Sequence, residues 1–135
     1  QAVLDAMEEY VDEKLRLYHV MHYKFRKDMI KVYIASPYTL GDVAINVKKQ
    51  IDAVDKLMNK GFAPFAPLYY HFQQMVHPRP YQDWINIDLE WVKSCDCVLR
   101  LNGESSGADG EVKLAEELNI PVYYSFDELF SAYVL

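Results

Sequence analysis

Two acids fall where a helix would normally bury apolar side chains. Residues 81–94 read as a helix, and at about 100° per residue Trp84, Ile85, Asp88, Leu89 and Val92 share one arc. Asp88 therefore has Trp84 one turn before it and Val92 one turn after it, and desolvation is expected to raise its pKa. The second acid, Glu111, falls in the first turn of a helix predicted over 109–118, in line with Ala115 and Leu118. There the free N–H groups and the positive end of the helix favour a carboxylate, so Glu111 is expected to stay ionised. One acid placed to keep a proton and one placed to lack it suit acid-assisted attack of a carboxylate at a sugar carbon. Each acid alone has an ordinary explanation, dipole compensation for Glu111 and a hydrogen-bonded structural acid for Asp88. The coincidence gains weight because both flank the same predicted strand at one end of a sheet.

The elements that must position these acids follow from the hydrophobic pattern. Residues 2–24 read as a helix, with Leu4, Met7, Val11, Leu15 and Tyr18 at three- and four-residue spacing. The charged run Arg26-Lys27-Asp28 follows, so 1–28 are expected to be a helical extension preceding a domain over 29–135. The extension could dock on its own domain or pair with a second subunit, and the pattern does not choose. Strands are predicted at 29–35, 62–67, 96–101 and 121–124, and helices at 44–59, 81–94 and 109–118. The 44–59 helix is closed by Lys60-Gly61, and a last helix is started by Ser125. Residues 68–80 read as loop with one helical turn. Regular alternation implies an α/β chain, a flavodoxin- or Rossmann-like three-layer fold with a parallel sheet of four to five strands. Ligands of such sheets sit beyond the carboxyl ends of the strands, which selects the loops 36–43, 68–80 and 102–110.

Composition narrows the classes of partner. Of 135 residues 51% are hydrophobic and 25% charged, as in a globular domain, and the net charge of −6 opposes binding to a nucleic-acid polymer. One or two phosphates of a small ligand remain compatible with backbone amides and hydroxyls. The 11 tyrosines suit both a core and a pocket for a flat ring. Cys95 and Cys97 are two residues apart, on one face if both lie on a strand; two thiols do not complete a zinc site, and buried core thiols are expected. His19 and His22 lie one helical turn apart with no third ligand nearby, so no metal is expected. The absence of a membrane-length apolar run and of a signal peptide leads to the expectation of a soluble, cytoplasmic protein.

The runs KVYIASPYTLGD and NIDLEWVKSCDCVLRLNGESSGADGEVKLA make a more specific pattern. It comprises a strand whose Tyr precedes a small-Ser turn, an Asp on the helix before a C-D-x-V strand, and a Ser-x-Gly-x-x-x-Glu loop entering a helix. Over about residues 29–126 this resembles the nucleoside 2-deoxyribosyltransferase family and the related deoxynucleoside 5′-monophosphate N-glycosidases. The resemblance implies Glu111 as nucleophile at the anomeric carbon, Tyr33 orienting it, and Asp88 contacting the base and assisting its departure. It implies Ser36 and Ser105 at the 5′ end of the substrate, with the backbone around Gly107. It also implies a homo-oligomer, dimer or tetramer, that needs no cofactor and binds a small nucleoside or nucleotide. Tyr38, His71 and Trp84 sit in or beside the ligand-facing loops and could stack on a base; Asn86 and Asp83 are candidates for the border of the same pocket.

The chain departs from the family where Lys113 replaces a common Gly two residues after the glutamate, where no arginine occurs in 36–43, and in its short C-terminal tail. Two function classes follow. One is an enzyme that cleaves or exchanges an N-glycosidic bond. The other is a non-catalytic nucleotide sensor on the same fold, which the departures favour and the retained Tyr33, Asp88 and Glu111 oppose.

Overall fold

A computed structural model describes residues 1–25 and 28–133, and the side chains outside 19, 20 and 22–25. His19, His22, Arg26 and Lys27 thus lie outside the described residues or side chains. The chain opens with α1 (Ala2–Phe25), followed by β1 (Lys31–Ala35), α2 (Val43–Asn59) and β2 (Ala63–Phe65). A 3-10 turn (Pro67–Tyr69) leads into α3 (Tyr70–Val76) and α4 (Tyr81–Ser94), then β3 (Cys97–Arg100), α5 (Ser106–Glu117), β4 (Val122–Tyr123) and α6 (Phe126–Tyr133).

The four strands form one wholly parallel sheet in the order β2-β1-β3-β4. Alternation along β1 sends Val32 and Ile34 to one face and Tyr33 and Ala35 to the other. The first face packs on Ala53 and Leu57 of α2 and Leu129 and Tyr133 of α6. The second packs on Val92 of α4 and on Ala108 and Ala115 of α5. The result is the expected three-layer α/β architecture. Its order reverses between β1 and β3, and that switch point is where such sheets bind ligands.

Local signals explain most boundaries. Asp42 caps α2 by accepting from the Ile45 amide at 3.0 Å, and Gly61 takes φ 85° just past its end, a conformation with little penalty only for glycine. Three expectations need correction. The segment expected as loop at 68–80 holds a 3-10 turn and the seven-residue α3, since Pro67 suits a first helical position and the chain before Pro78 has no breaker. Cys95 and Cys97 do not share a face: Cys95 ends α4 and packs with the α4–α5 cluster, whereas Cys97 begins β3 and packs on the α2–α6 side. Burial raises both thiols, Cys95 to about 11, as expected of core cysteines. The third correction concerns α5, which begins three residues earlier than its apolar pattern suggests.

Candidate active site

Ser105 sets the start of α5. Its hydroxyl accepts from the Ala108 amide at 3.1 Å, so the helix begins at Ser106 and Glu111 lies in its second turn. That removes Glu111 from the free N–H groups of the first turn, where the helix dipole acts most strongly. Glu111 is 7% exposed, and burial pushes its carboxyl up to about 8, with Asp88 adding to the rise. The Tyr33 hydroxyl and the Arg100 guanidinium act in the opposite sense. Burial also raises Asp88 to about 7, as expected for an acid in the apolar arc of α4. The expected division into one proton-holding and one freely ionised acid is therefore replaced by two raised, coupled acids.

Beneath them Tyr33 is fully buried, its hydroxyl held well above the usual range by burial and by the charges of Glu111 and Asp88. The Tyr33 hydroxyl, Asp88 Oδ1 and Glu111 Oε2 are all inaccessible to solvent and lack a well-formed hydrogen bond among the described residues, although the Tyr33 hydroxyl lies near enough to the Glu111 carboxyl to lower its pKa. Leaving one such atom unmade costs about 1–3 kcal/mol. Three of them belonging to three electrostatically linked side chains make this the most strained polar cluster among the described residues, and Asp88 and Glu111 of it also border a cavity.

A cavity of about 370 Å³ opens over both acids. Ser36, Tyr38, His71, Trp84, Asp88, Ser105, Gly107 and Glu111 all line it, drawn from the loops after β1, β2 and β3 together with α4 and α5. Tyr70 and Trp84 stack at 5.1 Å between centroids, giving an aromatic wall, and the Trp84 indole N–H donates to Gln74 Oε1 at 2.6 Å. Across the opening, the Tyr38 hydroxyl meets His71 Nδ1 at 2.6 Å, which joins the loop after β1 to α3. Gly107 matters for its lack of a side chain, because a Cβ there would stand 3.2 Å from the Tyr81 hydroxyl.

Two expected residues do not join this group. Asn86 is exposed and accepts from Gln82 at 2.8 Å; two residues before Asp88 on a helix turns it about 200° away. Asp83 faces Arg79 at 3.6 Å rather than the cavity. Lys113 is also exposed and outside the lining, so its charge does not enter the cavity.

Two buried polar residues escaped the sequence reading. Gln50 of α2 is 1% exposed; its amide donates to Ser36 Oγ at 2.8 Å and to the Ile34 carbonyl at 3.2 Å, while its oxygen accepts from the Leu68 amide at 2.8 Å. It ties the turn after β1 to the turn after β2. Arg100, 8% exposed at the end of β3, donates to the Leu101 carbonyl, to the Gly103 carbonyl at 2.7 Å and to Asp109 at 3.2 Å. It thereby holds the loop that leads to Glu111. Gly103 in that loop has φ 120°, and a Cβ there would lie 2.6 Å from Pro37 Cγ, so glycine lets the two ligand-facing loops touch. The signals were a Gln spaced three from Val47 on the buried side of α2 and a charge inside the apolar run of β3.

Comparison with known proteins bears on the fold. The family described as a domain of unknown function (DUF7768) matches residues 30–125. Among solved structures, a 2-deoxyribosyltransferase from Bacillus psychrosaccharolyticus is similar over 68% of this chain and 69% of its own, with a TM-score of 0.51 and 22% identity. At that identity the similarity establishes the fold. No curated protein matches the chain.

Proposed function

Because the chain belongs to the DUF7768 family and has the fold of a 2-deoxyribosyltransferase, we propose that it cleaves or exchanges the N-glycosidic bond of a deoxynucleoside or its 5′-monophosphate in the cytoplasm. The observation that carries this reading is the pair of buried acids, Asp88 and Glu111, that line one cavity and both have raised pKa values. When Asp88 holds a proton its repulsion of Glu111 vanishes, and the Tyr33 hydroxyl and Arg100 then offset part of the burial that raises the Glu111 carboxyl. The pair titrates near neutral pH in two steps that belong to the pair; its single proton lies more on Glu111 than on Asp88, so the reactive form, with a Glu111 carboxylate and a protonated Asp88, is the minor one.

In the first half-reaction a Glu111 oxygen attacks the anomeric carbon. The C–N bond electrons pass to the base, which takes the Asp88 proton, and the sugar is left as an ester of Glu111. Water or a second base then attacks the same carbon, its proton returns to Asp88, and Glu111 leaves as a carboxylate. Tyr33 orients the nucleophile, Tyr70 and Trp84 offer an aromatic wall to the base, and Ser36, Ser105 and Arg79 line positions suited to the 5′ end.

The test is to incubate the protein with deoxynucleosides and their 5′-monophosphates, with and without a second free base, and to separate the products by chromatography. Base released without an acceptor identifies a hydrolase, and exchange only with an acceptor identifies a transferase. No turnover across the panel, with nucleotide binding retained in calorimetry, overturns the catalytic reading in favour of a nucleotide sensor.

A further inference from the structure

Residues 1–18 are all exposed, and α1 meets the rest of the chain chiefly at α6. A single helix standing in water is marginal even when well formed, because most helix stability comes from packing an apolar face. This helix has such a face. Val3, Leu4, Met7, Tyr10, Val11, Leu15, Leu17, Tyr18 and Met21 are between 39% and 72% exposed and, at about 100° per residue, fall within an arc of about 160° that also holds Lys14, whose ammonium lies 5.3 Å from the Tyr10 ring centroid. Contiguous apolar surface on this scale marks an interaction site. It lies outside residues 30–125, so the family's own domain does not account for it.

Charge identifies the occupant. Residues 1–13 carry Asp5, Glu8, Glu9, Asp12 and Glu13 and no base, whereas 14–25 carry Lys14, Arg16 and Lys24 and no acid. The arrangement suits the helix's own dipole, and it also makes the helix complementary to a copy of itself running the other way. A parallel copy would set five acids against five. A membrane surface fits poorly, since interfacial helices carry Lys and Arg along their polar face. We propose that α1 pairs antiparallel with α1 of a second copy of this chain about a two-fold axis near residue 13. Leu4 then faces Met21 of the partner subunit and Met7 faces the partner's Tyr18, and the same register sets Val11 beside the partner's Lys14, whose apolar stem lies in the arc. Each acidic half lies along a basic half.

Sedimentation equilibrium of the full chain and oxidative crosslinking test this together. The expected mass is that of a dimer at micromolar concentration, and Met7→Glu with Val11→Glu is expected to halve it while the far-ultraviolet dichroism of the domain persists. In a mixture of Leu4→Cys and Met21→Cys proteins, mild oxidation is expected to link position 4 to position 21 of the other chain. Within one helix these positions are about 26 Å apart, so antiparallel pairing forbids 4-to-4 links. The native Cys95 and Cys97 are buried and do not compete. A monomer at 200 µM, unchanged mass in the double variant, or 4-to-4 and 21-to-21 links would each overturn the proposal.

Discussion

Two sets of buried polar side chains lie within one site and are treated oppositely. Gln50 and Arg100 have partners for the groups they bury, and both act as ties between loops. Tyr33, Asp88 and Glu111 each leave an inaccessible oxygen without a well-formed hydrogen bond. Partnered burial contributes to stability and fixes geometry, whereas unpartnered burial lowers stability and survives where a ligand completes it. On the proposed function, replacing a residue of the first set, the scaffold, should mainly harm the fold, and replacing one of the second, the chemical set, should harm turnover and spare or improve the fold.

The largest expected effect is on Glu111. Glu111→Gln keeps the shape and removes the nucleophile, so turnover of the substrate found in the panel should fall by about 10⁴-fold or more. The variant should unfold at a temperature no lower than the parent. A Gln variant that keeps its turnover, or loses it only through unfolding, would move Glu111 to the scaffold side of the contrast.

Asp88→Asn comes next, with a loss of about 10²–10⁴-fold in kcat, the usual range for a general acid. The pH profile gives the sharper reading. With both acids present, kcat/KM should be bell-shaped, falling at low pH as the nucleophile gains a proton and at high pH as the acid loses its own. The Asn variant should lose the alkaline limb, and a substrate whose base departs without needing a proton should recover most of the rate. A purely structural Asp88 would yield neither result.

How far the chain could be read in advance follows the same division. Strand and helix order, the switch-point loops and the inward acid of α4 follow from periodicity, because apolar faces and caps are local features. Glu111 does lie on the buried side of α5, but not in the first turn where the apolar pattern places it. The apolar pattern begins near Asp109, but the cap at Ser105 extends the helix backward through Ser106-Gly107, which carry no apolar signal. Its burial beside Asp88 depends on α4 and α5 packing side by side, and no local pattern encodes that. Gln50 and Arg100 stayed hidden because their partners are mostly backbone groups of loops, whose positions exist only after folding. Asn86 illustrates the opposite error, in which proximity along the chain stood in for direction on the helix.

Gln50→Leu tests the scaffold side at a middle scale. It keeps the volume but strands the Leu68 amide and frees Ser36, for an expected loss of about 2–3 kcal/mol from the unmade bonds. In denaturant the midpoint should drop, while kcat changes by less than about tenfold and KM rises as Ser36 loses its tether. A large fall in kcat at unchanged stability would place Gln50 with the chemical residues instead.

The last test leaves turnover aside and reads the pH dependence of stability. Carboxyls held near 7 and 8 in the folded chain, against ordinary values of 3.8 and 4.5, bind protons that the unfolded chain has already released. Across the window from about 4 to about 8 the native state is therefore the more protonated one, and stability must fall as pH rises. Its contribution is complete below the unfolded values and lost above the folded ones. Asp88→Asn combined with Glu111→Gln removes both titrations, so the variant and the parent should melt alike below about pH 4 and diverge progressively in favour of the variant up to about pH 9. A difference independent of pH, or one that favours the parent at pH 9, would mean that the two carboxyls have partners in solution and belong with Gln50 and Arg100.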